Sequence, residues 1–249
     1  MSDAAAPPMV ELKEVVVSFD GFKALDVKSL SIGRNELRVV IGPNGAGKTT
    51  LCDVISGKTR VVSGKVYFDG HETTYSSDVE IARRGVGRKF QTPSVFDSLT
   101  VYQNMELSLP GRRGVWKTLF SSTDPNQTSN ILRLLERVHL LDEADRPAKY
   151  LSHGQRQWLE ISMLIVADPK LLLVDEPAAG LSDRETELTA ELLLELAGRH
   201  TLIVIEHDMD FVRRLNSRVT VLNEGKVLAD GTLEQVQADP AVIEAYLGR

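Results

Sequence analysis

Three runs along the chain are built around an apolar stretch: "ELRVVIG" at 36–42, "KLLLVDEP" at 170–177 and "TLIVIEHD" at 201–208. Such runs, stopped by Gly, Pro or charge, predict strands buried on both faces, as in a parallel sheet. Pro177 closes the second. The Val-rich stretch from Val10 to Phe19 predicts another strand, and "SGKVYFDG" a short one closed by the Asp69-Gly70 turn signal. "VTVLNEGKVLADG" predicts a hairpin around Asn223-Glu224-Gly225. Helical spacing appears from Lys48 to Gly57 and in "RETELTAELLLELAG", ended by Gly198. It recurs after "LSHG", where Trp158, Ile161 and Ile165 alternate with Leu159, Met163 and Val166. "TLEQVQADP" opens with a Thr232/Gln235 capping box, and Pro240 suits the first position of a last helix ending near Leu247. Strand and helix alternate, so a largely parallel α/β sheet is expected.

The strand patterns stop between about Thr92 and Glu160. There "SNILRLLERVHLL" sets Ile131, Leu134, Leu135 and Val138 on one helical face, with "PGRRGVW" and "SSTDPNQ" as loops. A helical subdomain at about 92–160, set into a core of 9–91 and 161–249, is the expected organisation. Residues 1–8, "MSDAAAPP", read as a disordered lead-in.

Composition narrows the class. Of 249 residues, 42% are hydrophobic and 26% charged, ordinary for one large globular domain. A net charge of −6 argues against a nucleic-acid partner. The basic pairs Arg83-Arg84, Arg88-Lys89 and Arg112-Arg113 read as solvated faces. The single cysteine, Cys52, reads as a small buried hydrophobe in a reducing compartment. No apolar run is long enough to span a bilayer and the start has no signal-peptide pattern, so a cytoplasmic location is expected.

"GPNGAGKT", Gly42 to Thr49, follows an apolar strand and precedes a helix. Its glycines let backbone N–H groups converge on an anion. Lys48 brings a charge to the outer phosphates, and the Thr49 hydroxyl is a hard ligand for Mg²⁺. At the end of "LLLVD", Asp175 fits an acid that completes Mg²⁺ coordination, and Glu176 a base that polarises an attacking water. "LSHGQ" sets Ser152 and Gly154 at a helix start, a second anion site. Gln91, His207 and Asp183 are weaker signals when each is taken alone.

Together these residues resemble the ATP-binding cassette (ABC) ATPases over nearly the whole chain. The resemblance implies a P-loop NTPase (RecA-like) core, an N-terminal antiparallel β subdomain and an inserted helical subdomain, with ATP and Mg²⁺ as cofactors. It implies a nucleotide-binding loop of Gly42, Pro43, Asn44, Gly45, Ala46, Gly47, Lys48, Thr49 and Thr50, with Phe19 stacked on adenine. It makes Asp175 the Walker B acid, Glu176 the catalytic glutamate, His207 the switch histidine and Asp183 the D-loop acid. Gln91 is then the Q-loop glutamine, meeting Mg²⁺ and the attacking water. "LSHGQ" is similar to the family signature, so Ser152, Gly154 and Gln155 are expected to hold the nucleotide of a second, head-to-tail cassette. Two departures are His153, where glycine is commoner, and Lys28, near the base.

"GVGRKFQTPSVFDSLTVYQN", "LSHGQRQWLEI" and "QADPAVIEAYLGR" look like the branched-chain amino acid importer cassettes, and within them the urea importer cassettes. The resemblance implies an ATPase that powers a membrane importer of urea or short amides, otherwise of branched-chain amino acids, with a second ABC ATPase subunit (a heterodimer in the cell, a homodimer left open in isolation), two membrane permeases, and indirectly a periplasmic solute-binding protein. The cassette is then peripheral on the inner face of the cell membrane. A lipopolysaccharide-export-type cassette and a soluble nucleotide-dependent binding module stay open as alternatives.

Overall fold

The computed structural model describes residues 7–89, 95–110 and 125–247. Strand β1 (Val10–Phe19) buries Val10, Leu12, Val15 and Val17 and turns Glu11 and Lys13 outward. It pairs with β2 (Phe22–Ile32) through Asp20-Gly21, both at positive φ, which matches the twist of a tight hairpin. β4 (Ser63–Phe68) and β5 (His71–Glu72) complete an antiparallel sheet of order β2-β1-β4-β5.

The second sheet holds β3 (Leu37–Ile41), β6 (Val86–Lys89), β7 (Leu171–Asp175), β8 (Thr201–Ile205), β9 (Arg218–Asn223) and β10 (Lys226–Gly231). Its order is β10-β9-β3-β8-β7-β6, parallel except for the β9–β10 hairpin. The pleat sends alternate side chains to two cores. Val39, Ile41, Leu172, Val174, Leu202 and Val204 face the helical side. Val40, Leu171, Leu173, Ile203 and Ile205 face the antiparallel sheet and α1 (Lys48–Ile55). The three apolar runs are apolar because both faces are covered.

Among the described residues the remaining α-helices are α2 (Asp78–Arg84), α3 (Val101–Leu107), α4 (Pro125–Arg137), α5 (His153–Val166), α6 (Asp183–Leu196), α7 (Met209–Leu215), α8 (Leu233–Gln237) and α9 (Pro240–Leu247). α3 and α4 pack on α5, and α4 buries Ile131 and Leu135. α5 runs unbroken past residue 160, so the expected subdomain boundary falls within one helix. Capping boxes open α2, α3, α5, α6 and α8, among them the expected Thr232/Gln235 box.

Several expectations need correction. Between β1 and the strand of "ELRVVIG" lies β2, which the hydrophobic pattern does not predict. α1 stops at Ile55, because Ser56 and Gly57 turn the chain. α6 ends as expected, with Ala197 as its C-cap and Gly198 beyond it at φ 87°. The Arg88 and Lys89 side chains are buried rather than on a solvated face. Arg88 is held by Asp53 and Ser56 on the α1 side, and Lys89 meets Glu160 of α5. Arg112-Arg113 lies outside the described residues.

Candidate nucleotide site

The loop Gly42–Thr49 leaves β3 and enters α1. Gly42 has φ 155° and a Cβ there would meet the Leu222 carbonyl oxygen at 2.2 Å. Gly47 has φ 98°, and its Cβ would lie 2.6 Å from the Ala24 carbonyl oxygen. Neither position admits a side chain. Lys48 is buried, and its Nζ donates to the carbonyls of Gly42 (2.7 Å) and Pro43 (3.1 Å). Burial pulls its pKa below the ordinary lysine value, opposed by the charges of Glu176 and Asp175. Asn44, Gly45, Ala46, Gly47, Lys48, Thr49 and Thr50 line one cleft with Phe19, Phe22 and Glu176. Phe19 and Phe22 are partners across the β1–β2 hairpin and both stand exposed at the cleft's rim. Phe22 escaped the sequence reading; its signal was an aromatic on each side of an Asp-Gly turn. Lys28 is exposed and does not line this cleft.

β8 lies between β3 and β7, so three neighbouring strand tips bring the phosphate loop, the Asp175-Glu176 pair and His207 to one edge of the sheet. This is the carboxyl edge, where open α/β sheets hold ligands. Asp175 is 4% exposed and its Oδ1 has no hydrogen-bond partner. Burial pushes its pKa above the usual carboxylate value, helped by Glu176 and opposed by Arg88, Lys89 and Lys48. A buried, unpartnered carboxylate oxygen, on a group near enough to Lys48 for their charges to interact, fits a hard cation such as Mg²⁺.

Glu176 sits at φ 47°, unusual for a non-glycine residue, and its N–H donates to Ile205 O at 3.0 Å. Its Oε1 lies 3.3 Å from His207 Nδ1. Glu206, also missed in the sequence, is fully buried one residue before His207. Its only signal was an acid ending an otherwise apolar run.

Ser152 is the N-cap of α5: its hydroxyl accepts from Gln155 N, and the Gln155 side chain accepts from Ser152 N. At Gly154 a Cβ would meet Glu185 Oε1 at 2.2 Å, so glycine lets the starts of α5 and α6 touch. His153 Nε2 lies 3.4 Å from Ala179 O, which also accepts from Gln157 Nε2 at 3.1 Å. The His153 ring thus faces the turn after β7. Asp183 is exposed at the first turn of α6. Ser152, Gly154, Gln155 and Asp183 do not line the phosphate-loop cleft. Gln91 lies outside the described residues.

A glycine-rich phosphate loop, a strand-end acid pair and a histidine on the strand between them define a P-loop nucleotide hydrolase. Residues 25–179 match the ABC transporter family, and residues 226–249 match the branched-chain amino acid ATP-binding cassette transporter family. The chain belongs to the ABC transporter ATP-binding family and is an ATPase of that kind. It is 35% identical to the high-affinity branched-chain amino acid transport ATP-binding protein BraF of Pseudomonas aeruginosa, over 97% of this chain and 98% of that one. It is 36% identical to LivG of Escherichia coli, a protein of the same description, over 97% and 98% of the two chains. Among solved structures, it resembles a nucleotide-free ABC transporter cassette at TM-score 0.83 and 30% identity, covering 97% of this chain and all (100%) of that one. It resembles the cassette MJ1267 in its ADP conformation at TM-score 0.82 and 31% identity, covering 97% and 99%. A dimeric cassette, MJ0796 with ADP and phosphate bound, aligns at TM-score 0.77 and 28% identity, over 90% and 99%.

Proposed function

We propose that this chain drives an importer of branched-chain amino acids, as one of two cassettes seated beneath two membrane permeases. The observation that carries hydrolysis is the 3.3 Å approach of His207 to Glu176 beside the Lys48 loop. In this reading the Gly42–Thr50 backbone and Lys48 hold the phosphates, and Phe19 with Phe22 takes the adenine face. Glu176 accepts a proton from the attacking water, a contribution of about 10²–10⁴-fold for a placed base. His207 orients Glu176 and contacts the γ-phosphate. Thr49, Asp175 and Gln91 would hold Mg²⁺, which when bound neutralises charge on the phosphate oxygens.

Ser152, Gly154, Gln155 and Asp183 serve the nucleotide of the opposing cassette in a head-to-tail pair. Their absence from the chain's own cleft supports this. The partner is a second, different cassette, and a periplasmic binding protein delivers the solute to the permeases. Among the described residues no helix is long and apolar enough to cross a membrane. Attachment to the inner membrane face therefore runs through the permeases, with the exposed Phe96 beside α3 as one contact. Branched-chain amino acids are favoured as solute by the descriptions of BraF and LivG. Urea, the narrower reading, rests on resemblance of short segments alone.

The test is uptake of radiolabelled leucine and of radiolabelled urea by the assembled transporter in vesicles, with wild-type and Glu176→Gln cassettes. ATP-dependent leucine uptake lost in the variant supports the reading. Urea uptake without leucine uptake replaces the solute. Uptake undiminished in the variant removes Glu176 as the base.

A further inference from the structure

Glu206 follows the last residue of β8 and is 1% exposed. Its Oε1 accepts from Ala178 N at 3.0 Å, while Oε2 accepts from His207 N at 3.0 Å and Asp208 N at 3.3 Å. Ala178 lies two residues beyond Glu176. One carboxylate therefore grips the two loops whose side chains, Glu176 and His207, meet nearby.

The β7–β8 ladder supplies its last bond between the strands at Glu176 N and Ile205 O. Past that point Ala178, His207 and Asp208 take their acceptor from Glu206. Burying a charge is unfavourable unless it is hydrogen-bonded, and here three N–H donors face it. Glutamine could not substitute without loss. It has one acceptor oxygen, and its NH₂ would point at an N–H on one loop or the other. The same turn is gripped from its other side, where Ala179 O accepts from Gln157 of α5.

We propose that Glu206 is a positioning residue for ATP hydrolysis, its two oxygens setting the Glu176 turn against the His207 loop. This rests on the reading of Glu176 and His207 as the hydrolytic pair. Glu206 acts through the placement of Glu176 relative to His207, because its two oxygens hold one loop each.

The test is a double-mutant cycle of Glu206→Gln and His207→Ala in the full chain, under conditions where the unsubstituted protein hydrolyses ATP. Glu206→Gln is expected to keep ATP affinity and KM within about twofold, because the phosphate loop is untouched, and to lower kcat about 10–100-fold, the scale of a small misplacement. In the His207→Ala background the same substitution should lower kcat less than about twofold further, since the Glu176–His207 placement that it sets is already lost. A merely structural role would lower the rate by the same factor in both backgrounds, and that result overturns the proposal. So does a wild-type kcat in Glu206→Gln. If His207→Ala alone hydrolyses at the wild-type rate, the reading of the pair has failed first, and the proposal falls with it. Single-turnover hydrolysis reads the same ratios if steady-state rates are too slow. If Glu206→Gln does not fold, Glu206→Asp takes its place in the cycle, and equal losses in both backgrounds overturn the proposal there too.

Discussion

Lys89 at the end of β6 and Glu160 in the middle of α5 face each other at 3.8 Å, their side chains 2% and 5% exposed. Burial pulls the Lys89 pKa down, opposed mainly by Glu160 and then Asp175. The pair ties the strand leading to Gln91 to the helix opened by Ser152. Removing one partner takes this ion pair from the buried charge of the other. Lys89→Ala should therefore destabilise by about 3–5 kcal/mol, whereas Lys89→Met with Glu160→Leu should come much closer to wild type. Denaturant midpoints of the two variants decide this; equal losses in both would mean that the charges are not coupled.

Asp175 provides a test of metal fit. Its folded pKa is raised, so its penalty is absent well below the ordinary carboxylate value, grows as pH rises from that value to the folded one, and is complete above it. Near neutral pH, Asp175→Asn should leave the nucleotide-free protein at least as stable as wild type, gaining about 2–4 °C in Tm for each kcal/mol recovered. The difference should shrink toward acid. The same variant should lose the extra stabilisation that Mg²⁺ adds to ATP. Thermal melts with ATP, with and without Mg²⁺, measure both effects; an undiminished Mg²⁺ increment would remove Asp175 from the metal site.

Legibility in the sequence followed locality. β3, β7 and β8 could be read because two covered faces leave almost no room for polar residues. β2 was missed because Lys23, Asp26 and Lys28 interrupt its pattern and the β1–β2 register shifts at Val17/Ser18. The phosphate loop is contiguous, so its chemistry shows in eight letters. Arg88 and Lys89 look like surface because their partners, Asp53 and Glu160, come from other elements. Glu206 left almost no signal, since its partners are backbone N–H groups that any residue type supplies. Phe22 became a cleft residue only once the hairpin register set it opposite Phe19.

Cys52, on the buried side of α1, has its thiol pushed up to about 12 chiefly by burial, with Asp175 and Asp53 adding and Arg88 opposing. The folded thiol stays protonated where the unfolded one, near 9.0, begins to ionise. Its contribution to stability is complete below that value and is lost as pH rises from about 9 toward 12, at about 1.4 kcal/mol per pH unit. Cys52→Ala should consequently lose less stability than wild type between about pH 8 and pH 10. Alkylation of Cys52 at neutral pH should track unfolding, and labelling of the native protein at the rate of a free thiol would contradict its burial.

Ser152 separates a role toward the chain's own nucleotide from a role toward a partner's. Its hydroxyl caps α5 by accepting from Gln155 N, and neither Ser152 nor Gly154 lines the Lys48 cleft. Ser152→Arg should leave ATP binding to the isolated subunit nearly unchanged. It should reduce hydrolysis about 10²-fold or more, the scale of losing a donor to a reacting oxygen, because a bulky cation then stands where the partner's γ-phosphate belongs. Losing the cap itself destabilises by about 0.5–2 kcal/mol, and Ser152→Asn, which keeps a capping oxygen, isolates that part in thermal melts. Where two copies of this chain pair in isolation, without the different cassette of the assembled transporter, joining a Ser152→Arg copy to a Lys48→Ala copy puts both lesions in one shared site and leaves the other whole. Recovery of hydrolysis in the mixture, above that of either variant alone, is the expected outcome. If Ser152 served its own chain's nucleotide, each site would carry one lesion and the mixture would stay as inactive as its components. Crosslinking gives the same decision without turnover: Ser152→Cys should join a cysteine placed in the partner's phosphate loop only when ATP is bound, and failure to join would overturn the trans role.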